Sequence, residues 1–540
     1  MTETQEQATR VRVRRGRLIA AALVVGLLTA GLLYVFAQRR SPSQQQRPRR
    51  VGAQSSGQTL LRAGDDLQAA LDAARPGDTI LLEAGASFDG PVTLPVKEGD
   101  AFITIQSSAL AELPREGVRV SPAHAPLMPK IIARGRNEPA LRTAPGAHHY
   151  RFVGVEFKPA GAQTAVSDLI QLGDGSRAQN TLEKVPRHLV FDRCYIHGHP
   201  AGALKRGVAL NSADTSIVNS HLSDFKGKGY DTQAVCGWNG PGPFRIVNNY
   251  LEGAGENVMF GGADPSIPNL VPSDIEILGN HFSKPPRWRG LWTVKNLFEL
   301  KNARRVRVEH NLFENCWGDA QTGYAILFTV RNQDGTAPWS TVEDVRFTNN
   351  VVRHAAGGIN ILGKDDLQRS EQAKRLFVVN NLFEDIDGAK WAGRGSFLLL
   401  TSAARVEVSR NTVFQTNHLI LAYGEPTTDF VFRDNIAPHN DYGVFGDAMG
   451  SGTPAIARYF PGALFAGNLL VGAPPNVAYP PRNFAPPTPR AVGFNDLAGG
   501  DYRLAPASQY KRRASDGRDP GADIDALRPA LKAAEGVYLP

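Results

Sequence analysis

Short runs of apolar residues alternate with turn residues along most of the chain, and this alternation is the strongest pattern in the sequence. From Lys130 onward, runs rich in Val, Ile, Phe and Leu are separated by breaks of Gly, Asn, Asp and Pro. β-branched and aromatic residues favour strands, while the residues of the breaks favour tight turns. The pattern therefore predicts many short strands joined by tight turns.

A phrase of six residues, V-x-x-N-x-φ with φ apolar and with Ile or Phe in place of Val in five of eight copies, recurs among these runs. Its asparagines are Asn249, Asn280, Asn311, Asn350, Asn381, Asn411, Asn435 and Asn468. Successive asparagines lie 24 to 39 residues apart, a period typical of one small unit stacked many times. Two earlier phrases carry Cys194 and Ser220 in the position of the asparagine. The sequence predicts an array of about ten coils in which buried asparagines fasten each turn to the next coil.

The run after each Gly-rich turn can be aligned from coil to coil by its distance to the next asparagine. The residues predicted to point inward are Val258, Phe260, Phe298, Leu300, Ile326, Phe328, Ile359 and Ile361. Because side chains alternate along a strand, Met259, Glu299, Leu327 and Asn360 are predicted to point outward. Lys301 shares the outward face with Glu299.

A short helix is predicted at the start of the array. The segment at residues 65–74 reads DDLQAALDAA and places Leu67, Ala70, Leu71 and Ala74 on one helical face. Residues 76–78 end the helix, and residues 79–82 read as a strand. A stack of coils needs such a cap, because its first unit otherwise exposes an apolar cross-section and unpaired strand edges.

The positive net charge of the chain comes entirely from its first residues. Residues 1–50 contain ten arginines and two glutamates, so they account for the whole net charge of +8. The remaining residues carry equal numbers of basic and acidic side chains. Nucleic acid is therefore not expected as a partner of the main body.

Residues 18–37 contain no charged side chain and have the length of a helix that crosses a bilayer. They are predicted to be a transmembrane signal-anchor, with residues 1–17 as a basic cytoplasmic tail and residues 38–58 as a flexible spacer. The alternative is a signal peptide cleaved after Ala37, which would release a secreted protein. Both interpretations place the body in the periplasm or outside the cell.

The three cysteines, Cys194, Cys236 and Cys316, lie in different repeats and lack the spacing of a zinc site. They are predicted to be packed thiols.

With these features the chain resembles the right-handed parallel β-helix proteins of the pectin-lyase-like superfamily. Residues 65–85, DDLQAALDAARPGDTILLEAG, are similar to the N-terminal cap of polysaccharide lyases of the chondroitinase B and alginate lyase type. Residues 501–506, DYRLAP, are similar to the ending of exported β-helix proteins. The resemblance implies an all-β fold, with a parallel β-helix over residues 59–470 and a Pro-rich C-terminal segment, residues 471–540, packed on it.

Several catalytic motifs of the superfamily are missing. Polygalacturonase-type hydrolases are known for N-T-D, D-D, G-H-G and R-I-K motifs, of which the repeat array has only the D-D, at Asp365 and Asp366. The vWiDH and RxPxxR motifs of the best-known pectate lyases are absent as well. Hydrolysis of that type is disfavoured, and a lyase site must rest on a looser group of residues.

The resemblance implies a lyase mechanism for acidic polysaccharides. In lyases of this kind a base removes the proton α to a uronate carboxylate, while Arg, Lys or calcium neutralises that carboxylate. Lys301 would be the base and Arg331, beside the long loop of residues 332–341, would neutralise the carboxylate. The candidate ligands for Ca²⁺ or for substrate hydroxyls are Glu256, Asp264 and Glu299.

Three further residues are candidates for substrate binding. Trp238 and Trp339 are among the six tryptophans, all of which lie between residues 238 and 391, and aromatic faces suit sugar rings. Asp231 precedes the strand that ends near Trp238 and is a candidate partner for a substrate hydroxyl.

Other interpretations remain open at this point. Glu299, Lys301 and Arg331 can also be exposed cross-strand ion pairs worth under about 1 kcal/mol each. A non-catalytic carbohydrate-binding or cell-surface structural protein is favoured by outward apolar residues, which must be covered by the C-terminal segment or by a partner. Those residues are Leu327, Leu362, Leu399 and Ile420. A glycoside hydrolase or epimerase is a third hypothesis, and the oligomeric state is undetermined.

Overall fold

The chain forms three long parallel β-sheets wound around one axis, which is the architecture of a parallel β-helix. The computed structural model describes residues 57–447 and 449–538. The three sheets contain 14, 13 and 12 strands, and the chain visits them in turn, so that each circuit forms one coil. The predicted all-β fold and its parallel β-helix architecture are confirmed.

The strands are numbered along the chain. Sheet 1 contains β1 Gln58–Leu61, β2 Thr79–Leu82, β5 Ile103–Ser107, β8 His148–Val153, β11 Arg187–Asp192, β14 Ala213–Val218, β17 Phe244–Val247, β20 Ser273–Leu278, β23 Ala303–Glu309, β26 Val342–Thr348, β29 Lys374–Val379, β32 Ala404–Ser409, β35 Val431–Arg433 and β38 Leu464–Ala466. Sheet 2 contains β3 Ser87–Asp89, β6 Lys130–Ala133, β9 Glu156–Pro159, β12 Tyr195–His197, β15 His221–Phe225, β18 Tyr250–Gly253, β21 His281–Ser283, β24 Leu312–Cys316, β27 Val351–Ala355, β30 Leu382–Ile386, β33 Thr412–Gln415, β36 Ile436–Pro438 and β39 Leu469–Val471. Sheet 3 contains β4 Val92–Leu94, β7 Leu141–Thr143, β10 Asp168–Leu172, β13 Arg206–Leu210, β16 Gln233–Gly237, β19 Glu256–Phe260, β22 Asn296–Leu300, β25 Tyr324–Thr329, β28 Gly357–Leu362, β31 Leu398–Thr401, β34 Ile420–Ala422 and β37 Val444–Gly446.

The remaining elements are short. The α-helices are α1 Leu67–Ala73, α2 Thr453–Tyr459 and α3 Arg528–Leu531, and the strands β40 Phe494–Asp496 and β41 Asp501–Leu504 form an antiparallel pair. Short 3₁₀ helices are found at Leu110–Glu112, Pro122–Leu127, Leu182–Lys184, Pro286–Trp288, Pro489–Val492 and Ala533–Glu535.

The core consists of inward side chains that stack from coil to coil. Phe282, Phe313 and Phe347 belong to three successive coils, with ring centroids 4.3 Å apart for the first pair and 5.6 Å apart for the second. All three are completely buried. Burying a side chain of this size stabilises the fold by about 1.5–3 kcal/mol, so the stack holds these three coils together.

The asparagine ladder forms as predicted. The backbone N–H of Asn280 donates to Asn311 Oδ1 over 2.9 Å, and Asn280 Nδ2 donates to the same oxygen over 3.0 Å. The same pair of bonds links every asparagine of the phrase to the next, from Asn249 to Asn468. The ladder also continues to Asn483, which accepts from the backbone N–H of Asn468 over 3.1 Å. The sequence phrase does not contain Asn483, because no strand precedes it.

The β-helix is longer than the predicted array of about ten coils, because sheet 3 alone contains twelve strands. Ser220 and Cys194 occupy the asparagine position as predicted, since the backbone N–H of Cys194 donates to Ser220 Oγ over 2.9 Å. In earlier coils the equivalent residues are Val155 and Pro129, whose carbonyls accept from the next sheet 2 strands. A search for the phrase misses these coils because neither residue has a polar side chain.

The N-terminal cap also agrees with the prediction. Asp66 precedes α1 and its Oδ1 accepts from the backbone N–H of Ala69 over 3.0 Å, as an N-cap residue does. Leu67 and Leu71 of α1 are buried in the core. The predicted strand of residues 79–82 is β2, which pairs with β1.

One predicted orientation is wrong. Ile420 is the register partner of Leu398 and is completely buried in the core, whereas Leu421 is the partner of the outward Leu399. A shift of one residue exchanges the two faces of a strand. The alignment by distance to the next asparagine fails here because the turn after β34, residues 423–430, is longer than the two-residue turns after β22 and β31.

The C-terminal residues return along the outside of the β-helix. Residues 501–538, called the strap below, place Leu527 and Tyr502 in a buried cluster with Leu312, Val351 and Leu382 at the start of three sheet 2 strands. Phe484 in the Pro-rich segment bridges to Leu469 of the last sheet 2 strand. The strap therefore covers sheet 2 and leaves the outward face of sheet 3 open.

The predicted transmembrane segment, residues 18–37, lies outside the described residues, as do its flanks, residues 1–17 and residues 38–56. In the described part of the chain, no helix is long and apolar enough to span a membrane. The three cysteines are free and buried, and burial raises the pKa of each thiol to about 12.

Candidate functional site

The outward face of sheet 3 carries the residues that the alignment predicts. Met259, Glu299, Leu327 and Asn360 are register partners on β19, β22, β25 and β28. Their inward neighbours, such as Phe298, have no exposed surface. The predicted register of this face is confirmed, and it places one carboxylate within a row of apolar and amide side chains.

Lys301 follows β22 in a turn of only two residues, Lys301 and Asn302, before β23 begins. In the neighbouring coil Gly261 has a φ of 102°, and a Cβ on this glycine would lie 2.7 Å from the Cβ of Lys301. Only a glycine therefore lets the two coils approach so closely here. Lys301 Nζ lies 3.6 Å from Glu299 Oε1.

Glu299 is held in place by two neutral donors. Asn296 Nδ2 donates to Glu299 Oε2 over 3.1 Å, and Thr329 Oγ1 of the next coil donates to Glu299 Oε1 over 3.2 Å. The Glu299 side chain is only 2% exposed, whereas that of Lys301 is 14% exposed. Of Glu299 and Lys301, the lysine is therefore the side chain with more contact with solvent.

Arg331 is anchored by two carboxylates. Its Nη1 donates to Asp365 Oδ1 over 2.9 Å and also to Asp366. Asp365 Oδ2 additionally accepts from the backbone N–H of Asn332 over 2.7 Å. Burial raises the pKa of Asp365, but hydrogen bonds from backbone N–H groups and from Arg331 outweigh burial and hold the pKa below its usual value. The guanidinium therefore has a fixed position.

These side chains line one cavity of about 300 Å³ on sheet 3, called the Lys301 cavity below. Its lining residues are Glu299, Lys301, Gln321, Thr322, Tyr324, Leu327, Thr329, Arg331, Asn360, Leu362, Asp366 and Tyr423. The lining contains two cations, two carboxylates, amides and hydroxyls, so the cavity suits a polar, charged ligand.

Glu256 lies at the start of β19 and is completely buried. Gln233 Nε2 donates to its Oε2 over 2.8 Å, and Lys295 Nζ lies 3.8 Å from its Oε1. Burial, together with the carboxylates of Glu299 and Asp231, raises the pKa of Glu256 above its ordinary value of 4.5. Glu256 therefore belongs to the polar network behind the Lys301 cavity and does not line it.

Asp231 and Trp238 lie apart from the Lys301 cavity. Asp231 Oδ1 forms an ion pair of 2.6 Å with Lys295. The Trp238 ring lies under the guanidinium of Arg206, 5.1 Å from the ring centroid, and its Nε1 donates to the carbonyl of Gly175 over 3.0 Å. Both residues hold the neighbouring coils together.

Asp264 and Trp339 line a second cavity of about 720 Å³, called the Trp339 cavity below. Asp264 Oδ2 accepts from the backbone N–H groups of Asp334 and Thr336, over 3.1 and 2.8 Å. Trp339 Nε1 donates to the carbonyl of Leu270 over 3.0 Å. Of the predicted site residues, Glu299, Lys301 and Arg331 thus line one cavity, and Asp264 and Trp339 line another.

The candidate calcium ligands do not converge. Glu299 lines the Lys301 cavity, Asp264 lines the Trp339 cavity, and Glu256 is buried behind the first. Across residues 57–447 and 449–538, no three His, Cys, Asp or Glu side chains are grouped in a way that could hold a metal ion. A role for Ca²⁺ remains a prediction.

Sequence reasoning missed the residues that position Lys301 and Arg331. Asn296 and Thr329 bond Glu299 from two coils, and Gln321 and Tyr324 complete the cavity wall. Asn296 and Tyr324 begin β22 and β25, Thr329 ends β25, and Gln321 lies in the turn before β25. The repeat gives the face of a strand residue but not its hydrogen-bond partner, and it does not align the turns. The D-D pair, Asp365 and Asp366, was noticed only as a fragment of a hydrolase motif.

Comparison with known proteins gives no family for the chain. No family model matches the sequence, and no curated protein is similar to it.

Several solved structures are similar to the chain at low identity. An alginate lyase from Paenibacillus sp. strain FPU-7 is 14% identical, with 76% of this chain and 99% of that one covered and a TM-score of 0.31. Pectate lyase Pel9A is 12% identical, with 86% and 93% covered and a TM-score of 0.40. The catalytic unit of an α-1,3-glucanase from Streptomyces thermodiastaticus strain HF3-3 is 14% identical, with 80% and 70% covered and a TM-score of 0.45. Likenesses of this level give no information about activity.

Proposed function

We propose that the protein binds an acidic polysaccharide on the outward face of sheet 3 and cleaves it by β-elimination next to a uronate. The observation that carries the proposal is the Lys301 cavity, in which an amine and a fixed guanidinium line the same open space. Base and cation are the two groups that elimination beside a carboxylate requires.

Lys301 is the proposed base. Its uncharged amine would take the proton from the carbon next to the uronate carboxylate, and the released electron pair would form the new double bond as the glycosidic oxygen leaves and is protonated by water. Lys301 is the more exposed member of its pair with Glu299. Glu299 would orient the amine, because Asn296 and Thr329 hold its carboxylate in place.

Arg331 is the proposed partner of the uronate carboxylate. Its Nη1 makes the bonds to Asp365 and Asp366, and within the described residues its Nε and Nη2 make no hydrogen bond. The N–H groups on Nε and Nη2 of a fixed guanidinium can donate to both oxygens of a carboxylate. Asp365 and Asp366 would position Arg331 without using all of its donors.

The test is an assay of the purified full-length chain on alginate, polygalacturonate and gellan, with and without added Ca²⁺. We expect absorbance of the unsaturated product to rise for the wild type and to fall on the order of 100-fold or more for Lys301→Ala. Lys374→Ala is the matched control, because Lys374 pairs with Glu343 on sheet 1, away from the cavity. Equal rates for the wild type and Lys301→Ala would refute Lys301 as the base.

A second candidate function is carbohydrate binding without catalysis. It is favoured by one observation, the ion pairs that both cations already form. Lys301 is paired with Glu299, and Arg331 is paired with Asp365 and Asp366. Paired cations of this kind also fit a surface that binds a polysaccharide without cleaving it. Retention on a polymer without turnover would support this function. New reducing ends without the unsaturated product would instead support the hydrolase hypothesis.

We also propose that residues 18–37 anchor the body at a membrane, on the side away from the cytoplasm, or are removed on export. The support is the uncharged length of this segment. Protease added to intact cells should degrade the body if it lies on the cell surface. If the body lies in the periplasm, protease should degrade it once the outer membrane is permeabilised. A body that stays protected after permeabilisation would contradict the proposal.

A further inference from the structure

The Trp339 cavity lies among three loops of the β-helix. They follow β10, β19 and β25 and contribute residues 175–180, residues 263–268 and residues 334–339. Its volume of about 720 Å³ is within the range of small-molecule sites, about 300–1,000 Å³. It is more than twice as large as the Lys301 cavity.

Side-chain hydrogen bonds fix these loops to one another. Asn239, which is completely buried, donates from Nδ2 to the carbonyl of Gln179 over 2.9 Å and accepts at Oδ1 from the backbone N–H of Ser266 over 2.9 Å. Asp264 Oδ2 accepts from Thr336 Oγ1 over 2.9 Å. Because all three loops are tied together through side chains, the cavity exists before any ligand binds, which lowers the cost of binding.

The lining of the Trp339 cavity differs from that of the Lys301 cavity. Trp339, Ala263, Pro265 and Pro268 form an apolar part. Hydroxyl and amide groups come from other lining residues, and the charged residues are one arginine and two aspartates: Arg177, Asp264 and Asp334. An apolar face next to hydroxyls and amides suits a sugar ring, and an excess of carboxylates disfavours a second uronate.

The two cavities belong to one edge of sheet 3. Lys301 directly follows β22, Arg331 follows β25 after one residue, and Asp264 follows β19 after a short turn. The turn after β22 has only two residues. The coil of β22 therefore has no protruding loop between the loops that follow β19 and β25. Neighbouring strands are about 4.8 Å apart, so β19 and β25 are separated by roughly the length of two sugar rings.

We propose that the Trp339 cavity binds a neutral sugar of the same polysaccharide chain whose uronate occupies the Lys301 cavity. The substrate class is then a mixed polymer, in which neutral sugars alternate with uronates. This inference rests on the proposed function for the identity of the polymer.

The test compares retention of the full-length wild type and Trp339→Ala in affinity electrophoresis, with gellan or polygalacturonate in the gel. Neutral sugars separate the uronates of gellan, whereas polygalacturonate consists of uronates. We expect Trp339→Ala to weaken binding to gellan roughly five- to tenfold, as loss of an aromatic contact does, and to leave binding to polygalacturonate within about twofold. Trp339→Phe retains an aromatic ring and should restore most of the binding.

A second variant guards against misfolding of Trp339→Ala. Ser176 is an exposed residue of the lining, and Ser176→Trp would fill the cavity without removing a buried side chain. It should reduce binding to gellan as Trp339→Ala does, while keeping the wild-type melting temperature. Unchanged gellan binding in both variants, or equal losses on both polymers, would overturn the inference.

The outcomes separate this inference from the proposed function. Absence of unsaturated product from every polymer, combined with gellan binding that depends on Trp339, would refute the elimination reaction and retain the neutral-sugar site. Turnover that is lost in Lys301→Ala, combined with gellan binding that is independent of Trp339, would retain the reaction and refute the site.

Discussion

Glu256 is a carboxyl group without exposed surface at the start of β19, and its surroundings favour the protonated form. Burial and the nearby carboxylates of Glu299 and Asp231 raise its pKa, while Lys295 and Gln233 lower it by a smaller amount. The turn before it is held by Lys284, whose buried ammonium donates to the carbonyl of Gly255 over 3.0 Å. The polar network behind the Lys301 cavity therefore has a titratable carboxyl group at its centre.

The raised pKa of Glu256 predicts a pH dependence of stability. Between pH 4.5 and the raised pKa, the unfolded chain has released the Glu256 proton and the folded chain still holds it. Unfolding then releases a proton, so a rise in pH through this range favours unfolding and lowers the free energy of unfolding. We expect the stability of the wild type relative to Glu256→Gln to fall as pH rises above 4.5, measured by urea unfolding of both proteins at each pH.

The control for this comparison is Asp366→Asn, which alters an exposed carboxylate of the same sheet 3 site. Its stability difference from the wild type should not follow the pH profile of Glu256→Gln. A difference between wild type and Glu256→Gln that stays constant across the range would show that Glu256 titrates normally.

At the scale of one coil, the ladder asparagines replace the backbone hydrogen bonds that a turn cannot make. Asn311 accepts two bonds from Asn280, and its Nδ2 donates to the carbonyl of Ile277 over 2.8 Å and to Asn350 Oδ1 over 3.0 Å. All of these groups are buried. Removing the amide leaves buried donors and acceptors without partners, and each such group costs about 1–3 kcal/mol.

We therefore expect Asn311→Ala to lower the free energy of unfolding by about 3 kcal/mol or more. Asn483→Ala is the matched control, because Asn483 ends the same ladder and is only half-buried; its effect should be smaller. Chemical unfolding monitored by circular dichroism measures both. Equal, small effects would mean that water replaces the ladder bonds inside the stack.

The repeat explains which elements the sequence predicts and which it does not. Glu299 was placed on the outward face because strands alternate with a period of two and the ladder sets their register. Asn296, which bonds Glu299, begins β22, but the period gives only the face of a strand residue and not its hydrogen-bond partner. Asp365, which bonds Arg331, lies in the irregular turn after β28, where no period applies. The Ile420 error also comes from an irregular turn, since a single extra residue between a strand and the next asparagine exchanges the predicted faces of that strand.

At the scale of the whole molecule, the C-terminal strap runs along the outside of the β-helix. It contacts residues that directly precede the ladder asparagines in several coils. Asp523 donates its backbone N–H to Asn380 Oδ1 over 2.6 Å, and the carbonyl of Gly536 accepts from Asn248 Nδ2 over 3.2 Å. Val537 then bridges to Val118 in the N-terminal half. The strap thus connects coils that are far apart along the axis, although in a solenoid each coil contacts only its neighbours.

The strap should be separable from the candidate site. Leu527 is completely buried against sheet 2, whereas Leu531, at the other end of α3, is 43% exposed. A carboxylate in place of Leu527 would lie buried without a partner. We therefore expect Leu527→Asp to release the strap and to lower the free energy of unfolding by about 3 kcal/mol. Leu531→Asp is the control and should change neither the strap nor the stability.

Two measurements check the effect of Leu527→Asp. Hydrogen exchange should increase in the strap and in β24, β27 and β30. Binding of gellan should stay at the wild-type level, because no residue of the strap lines the Lys301 cavity or the Trp339 cavity. Loss of gellan binding in a folded Leu527→Asp protein would show instead that the strap sets the geometry of sheet 3 through the core.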